Sequence, residues 1–458
     1  MTVTPTPARP EVAPPGPWSF PEPTTTRLAN GLTLQTFHTP GQYVASVRLA
    51  VPVVPAQEAR ELEGILALMS RTFDEGTEDH SAEEFAELLE RAGVALGSST
   101  SEFGLMLDLD VPVRRLDRGL ELLAECVQRP AYPDDEVDRA RRKRLADIEQ
   151  ENADPRSRAV REFAATFYTP GSRASRPSGG SPETVRSITA PAVRDFHRRH
   201  VGPTGTVMVV AGDLSSLGAE PARALHDLVE GAFGAWRPQP VAPTGAQAPA
   251  RREDAGRIVV VDRPGSVQSE LYIGCLGPDR RNGWGAYPVL SFLIGGAPQA
   301  RVDAVLREDK GYTYGLRTAF VPRADGGLFV ASGSVRADVT GESIGLLLDI
   351  LEKARDGFTP AEVRAGVDFV SQTAPARYAT ADAVADEAAG LALEKLPPRW
   401  VTEMFDETRS LTGEALAEAY ARADVGRWTI VVVGDADQVA DQVRVLGRGD
   451  VEVRRRSS

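Results

Sequence analysis

The chain has 458 residues, more than one hydrophobic core normally serves, so two or more domains are expected. Its 42% hydrophobic and 26% charged residues are ordinary for a globular protein, and a net charge of -13 with pI ≈ 5.1 argues against nucleic acid or an anionic membrane as a bulk partner. Two cysteines, Cys126 and Cys275, lie far apart in apolar segments and read as buried thiols, with neither a disulfide framework nor a thiolate metal site.

Residues 1–24, dense in Pro, Thr and Ala, read as a disordered arm. No stretch approaches about 18 consecutive apolar residues, and the N-terminus shows no charged-then-apolar signal pattern, so a cytoplasmic protein without a membrane partner is expected. Arg27 to Phe37 reads as two strands around the Asn30-Gly31 turn, and Ala45 to Val53 as a third. From Glu61 to Phe73, Leu62, Ile65, Leu66, Met69 and Phe73 recur at helical spacing, predicting one amphipathic helix. Ser81, with Glu84 three residues on, caps the next helix.

Val94 to Ser101 and Leu105 to Val113 then form an expected antiparallel pair, in which Asp108 and Asp110 alternate with apolar residues as on a sheet with one wet face. Leu116 to Gln128 and Asp134 to about Asn152 predict long helices. The basic run Arg139 to Arg144 reads as a solvated helix face. Thr206 to Ala211 is a near-continuous apolar strand, and Pro238 to about Ala250 a linker.

Beyond the linker the same order of elements recurs. Thr429-Ile430-Val431-Val432-Val433-Gly434-Asp435 echoes Thr206 to Asp213, and Thr359 to Val363 echoes Pro133 to Val137, both at an offset of about 225 residues. This predicts an α+β protein of two homologous domains, each a mainly antiparallel sheet with helices packed on one face. The expected boundaries are an N-terminal domain over 25–237, a linker over 238–252, a C-terminal domain over 253–445 and a charged tail over 446–458.

No G-x-S-x-G elbow, Cys with an obvious His, or phosphate-cradling G-x-x-x-x-G-K is present, which argues against triad hydrolysis. His197 and His200 share a helix, but Arg198 and Arg199 lie between them and no further ligands are apparent, so a basic helix end is the simpler reading. Arg307 and Tyr314 flank Gly311, where a helix ends and a strand is expected to begin; read locally they are a surface charge and a packed ring.

Three segments carry a resemblance: Gly64 to Thr77, Leu145 to Pro155, and Leu306 to Tyr314. Through them, residues 25 to 445 resemble the insulinase/pitrilysin family of inverted zincins, which includes the mitochondrial processing peptidase and its bacterial relatives. In active members a helix carries H-x-x-E-H, two His binding zinc and the Glu activating water, and a later Glu completes the metal site. By the resemblance those positions fall on Ala67, Ser70 and Arg71, and the later one on Asp147. None can do the original work, so no metal is expected in this chain, and Asp147 is either an exposed carboxylate or an ion-pair partner of Arg71.

The family's Arg/Tyr pair, seven residues apart, matches Arg307 and Tyr314. The resemblance implies that they bind peptide and stabilise the oxyanion. Keeping that pair without the zinc ligands is the pattern of a non-catalytic subunit, whose expected partner is a homologous H-x-x-E-H chain holding zinc and whose substrate is an unfolded peptide. The alternative is a structural or peptide-binding member with no role in proteolysis. A self-sufficient homodimeric peptidase would need the H-x-x-E-H that is absent.

Overall fold

The computed structural model describes residues 18–244, 250–254, 256–323, 326–423 and 425–455. Six strands form the first sheet: β1 (Thr24–Arg27), β2 (Thr33–His38), β3 (Val44–Val51), β4 (Ala95–Thr100), β5 (Leu105–Pro112) and β6 (Val207–Gly212). The second contains β7 (Ile258–Asp262), β8 (Gln268–Gly277), β9 (Arg317–Pro322), β10 (Gly327–Arg336), β11 (Thr429–Gly434) and β12 (Val451–Arg454). Their orders are β1-β2-β6-β3-β5-β4 and β12-β7-β11-β8-β10-β9, so five strands of one sheet repeat five of the other in sequence and in space. β2 and β6 are parallel, as are β7 and β11, and β12 runs parallel to β7; the remaining pairs are antiparallel. The α+β duplication is therefore present, as sheets that are mixed but mainly antiparallel.

Each sheet carries its own helices on one face, and one helix from the opposite half covers the other. Pro155–Phe167 crosses to lie on β8 and β11, and Ala381–Leu393 crosses to lie on β3 and β6. This explains the apolar runs in the central strands. Met208 and Val210 of β6 point into the first half's core, while Val209 and Ala211 point into the core that contains Ala381–Leu393. Ile430 and Val432 of β11 likewise face their own helices, and Val431 and Val433 meet Phe163 and Phe167 of the crossing helix. Strands buried on both faces lose the polar alternation of a half-wet sheet.

β5 keeps the expected alternation, and its wet face at Asp108 and Asp110 is only partly covered, the two side chains staying 36% and 38% exposed. Arg48 of β3, itself buried, meets Asp108 at 3.5 Å, Asp110 at 3.0 Å and Asp386 of the crossing helix at 2.5 Å.

Three further expectations change. The Glu61–Phe73 helix divides into a short 3₁₀ turn, Arg60–Leu62, and the helix Ile65–Ser70, because Gly64 lies between them at φ +100°. Residues 446–458 hold β12, whose Val451 and Val453 have apolar neighbours in the second core and whose Arg454 pairs with Glu162 at 2.8 Å. Within the expected arm, residues 1–17 lie outside the described residues, whereas Trp18 stacks on Tyr378 and Phe20 is buried against Phe37 and Tyr378. Aromatic side chains at 18 and 20 anchor the chain where its Pro-rich composition points to disorder. In the linker, Gln239 exchanges hydrogen bonds with Thr204 at 3.2 and 3.0 Å, and residues 245–249 lie outside the described residues.

Among the described residues, the one helical run long and apolar enough to cross a bilayer is Ala286–Asp309. Its path is broken at Gly295, and Tyr287, Leu290, Val302 and Leu306 lie in the second core. Cys126 and Cys275 are both buried, and neither is in a disulfide.

Candidate functional site

The helix Ile65–Ser70 is short and held from both ends. Glu58, its side chain fully buried, accepts the amides of Gly64 and Leu66 at 3.1 Å each and so satisfies donors that the first helical turn leaves open. Arg173 grips Glu58 at 2.9 Å and Arg176 grips Glu63 at 2.7 Å. Burial nonetheless pushes the Glu58 carboxyl above its usual range, against the opposing pull of Arg173. A Cβ on Gly64 would stand 2.8 Å from the carbonyl oxygen of Gly179, so this backbone approach requires glycine.

Ala67, Ser70 and Arg71 occur at i, i+3 and i+4 and share a helix face. All three line one cleft. The Ser70 hydroxyl donates to Ser98 Oγ at 2.7 Å, and Ser98 returns a bond to the Ser70 carbonyl at 2.5 Å, which ties this face to β4. Arg71 Nη1 lies 2.6 Å from Asp147 Oδ2, so Asp147 is the ion-pair partner of Arg71. A zinc ion does not fit this donor set. Ala67 has no donor atom, Ser70 offers a neutral hydroxyl already engaged, and Arg71 places a cation on the one carboxylate. Among the described residues, no group of three His, Cys, Asp or Glu side chains is arranged to hold a metal.

His197 and His200 do not converge. His197 Nε2 donates to the Val127 carbonyl at 3.0 Å, while His200 Nδ1 lies 3.2 Å from Gln57 Nε2. Burial pushes His197 down to about 4, which makes it a neutral interior group rather than part of a basic helix end.

The cleft has a volume of about 1140 Å³. Seven arginines and two glutamates line it, in a chain whose overall charge is -13. Arg144, from the run expected to be solvated, is buried; its two terminal nitrogens reach Glu151 at 2.5 and 3.2 Å and its Nε donates to Gly179 at 3.0 Å. Arg323 reaches in from the second half and pairs with Glu102 at 2.9 Å. Sequence reasoning missed these walls. The signal available was the recurrence of Arg at 156, 158, 161, 173 and 176, unremarkable until the fold brings two of those segments around one cavity.

Arg307 and Tyr314 stand elsewhere, on a tightly tied segment of the second half that does not line this cleft. The helical turn Ala304–Asp309 closes with Gly311 N donating to Arg307 O at 3.1 Å. Thr313 Oγ1 then donates to Ser334 O at 2.7 Å, and the buried Asp303 accepts Leu316 N at 3.2 Å. Tyr314 precedes β9 rather than lying on a strand, because these bonds hold 312–316 as a loop. Tyr314 is 93% exposed, and the Arg307 side chain, 40% exposed, lies 3.4 Å from Glu308, its one ion-pair partner among the described residues. The backbone is fixed and both side chains face solvent.

Residues 34–175 match the family model described as Insulinase (Peptidase family M16), and residues 187–368 match the one described as Peptidase M16 inactive domain. The chain belongs to the M16 insulinase family. Uncharacterized zinc proteases of Streptomyces coelicolor and Mycobacterium tuberculosis are each 26% identical to it, over 74% of this chain and 73% or 76% of theirs. The fold is shared with a solved peptidase M16 inactive domain from Pseudomonas fluorescens, at TM-score 0.80 and 22% identity over 90% of this chain and 98% of that one. A protease from Helicobacter pylori superposes with TM-score 0.79 at 18% identity, covering 90% and 99%.

Proposed function

We propose that this M16 chain is the non-catalytic, substrate-binding subunit of a two-chain zinc endopeptidase. The observation that carries the reading is the contrast between its two half-sites. The degenerate centre is closed by its own Arg71–Asp147 pair, whereas Tyr314 and Arg307, the latter beside its sequence neighbour Glu308, project into solvent from a hydrogen-bonded segment. Exposed side chains on fixed backbone are what a donor pair offered to another chain requires. The partner is a homologous H-x-x-E-H chain; its zinc supplies the activated water, and the substrate is an unfolded peptide. Arg307 and Tyr314 bind peptide carbonyl oxygens and stabilise the oxyanion in the partner's site.

The test is reconstitution. The isolated chain takes up no stoichiometric zinc and cleaves no peptide, while its mixture with the partner cleaves. Arg307→Ala or Tyr314→Phe lowers kcat of the mixture by about 10² to 10³, the usual loss on removing one oxyanion donor, with assembly intact on gel filtration. Cleavage by the pure chain would overturn the reading. Full turnover by both variants would leave a structural member of the family with no part in the chemistry.

A further inference from the structure

The cleft beside the lost zinc site carries more positive charge than its own carboxylates neutralise. Arg71, Arg144 and Arg323 are answered by Asp147, Glu151 and Glu102, and Arg173 and Arg176 by Glu58 and Glu63, the latter shared between them. Arg156 and Arg161 are not. Arg161 donates to the neutral Asn152, and the exposed Arg156 makes no ion pair among the described residues, its charge felt only at longer range by Asp154 at the helix start. Both belong to the crossing helix Pro155–Phe167, and Arg156 sits in its first turn, where a cation works against the helix dipole. Between them Val160, 44% exposed, presents an apolar side chain to the same cavity, as does Phe103.

The geometry points to a binding site for an acidic peptide segment, one whose carboxylates meet Arg156 and Arg161 while an intervening apolar residue covers Val160 and Phe103. Guanidinium groups pair with carboxylates through two parallel hydrogen bonds, and Arg71, which donates to Asp147 through Nη1, adds further N–H donors to the wall, whereas the donors of Arg173 are spent on Glu58 and on backbone carbonyls. A locally basic cleft in an acidic chain also selects by repulsion, since basic segments are held off by the cavity and acidic ones are turned away elsewhere on the surface. The inference rests on the peptide-handling half of the proposed function and makes no use of Arg307 or Tyr314.

The experiment is fluorescence anisotropy on the isolated full-length chain. Its probe is a short labelled peptide with glutamates on both sides of a central leucine, measured beside its glutamine and lysine counterparts. The glutamate peptide binds, weakens as salt rises, and outcompetes the other two. Arg156→Glu, which places an acid in the first helical turn and so favours folding, weakens binding by about tenfold or more, with an unchanged thermal melt. Arg161→Gln weakens it in the same direction. Equal binding of the three peptides, unaltered affinity in Arg156→Glu, or tighter capture of a labelled oligonucleotide would each overturn the proposal. Because no partner chain is present, failure here is separable from failure of reconstituted cleavage.

Discussion

His197 is neutral near pH 7 because burial holds its pKa at about 4 against an ordinary value of 6.5. The folded value is the lower one, so the unfolded chain takes up the proton first and stability rises with pH across that window. The contribution is fully present above 6.5 and is lost as pH falls to about 4, a difference of about 3 kcal/mol. His197→Asn keeps a donor for the Val127 carbonyl, and urea midpoints measured across the window should lose this part of the acid slope. A variant as acid-sensitive as the parent would show that another group titrates. The Arg71–Asp147 pair is different in kind: with side chains 40% and 31% exposed, it contributes about 0–1 kcal/mol. Asp147→Asn should accordingly shift the urea midpoint little, and a large shift would mean that the pair has a structural duty beyond its contact.

At the scale of the element, the helix Ile65–Ser70 is positioned by its surroundings more than by its own propensity, since six residues are too few to be stable alone. Its start depends on Gly64, where φ +100° and the nearby Gly179 carbonyl exclude a side chain. Gly64→Ala should cost about 2 kcal/mol or more and loosen the Glu58–Arg173 and Glu63–Arg176 clasps. Denaturant unfolding checks the loss, and an unchanged midpoint would refute this role for the glycine. The capped helix after Ser81 formed as expected, Ser81 and Glu84 exchanging bonds at 3.3 and 2.9 Å, because a capping box is a contract between residues three apart. β12 was illegible for the opposite reason. Four residues with alternating charge become a strand only because the edge of β7 is open beside them.

For the whole molecule, the exchange of Pro155–Phe167 for Ala381–Leu393 makes each half complete the other's core. Phe163, contributed by the first half, fills a space on the second sheet that Gly274 leaves free, where a Cβ would come within 2.7 Å of its ring. Phe163→Ala should cost about 3–5 kcal/mol. Tryptophan fluorescence and far-UV circular dichroism should also move together in the melt, because neither half retains a closed core alone. Two separate transitions, with only one displaced by the substitution, would contradict this account.

The duplication, and the strand run at 207–212 with its echo at 429–434, were legible in the chain, because periodicity, capping and motif spacing are relations between near neighbours or between repeats. The pairing of Asp108 and Asp110 with the buried Arg48, the burial of Arg144 and the basic cleft were not. Each depends on which segment from several tens to hundreds of residues away arrives opposite, and a guanidinium reads the same in sequence whether it ends in water, against Glu151, or on the wall of a cavity. Sequence by itself determined the kind of fold; only the tertiary structure decided that Arg71 closes on Asp147 and that a basic cleft opens beside them, since charge compensation and cavity shape are sums over contacts that no local pattern encodes.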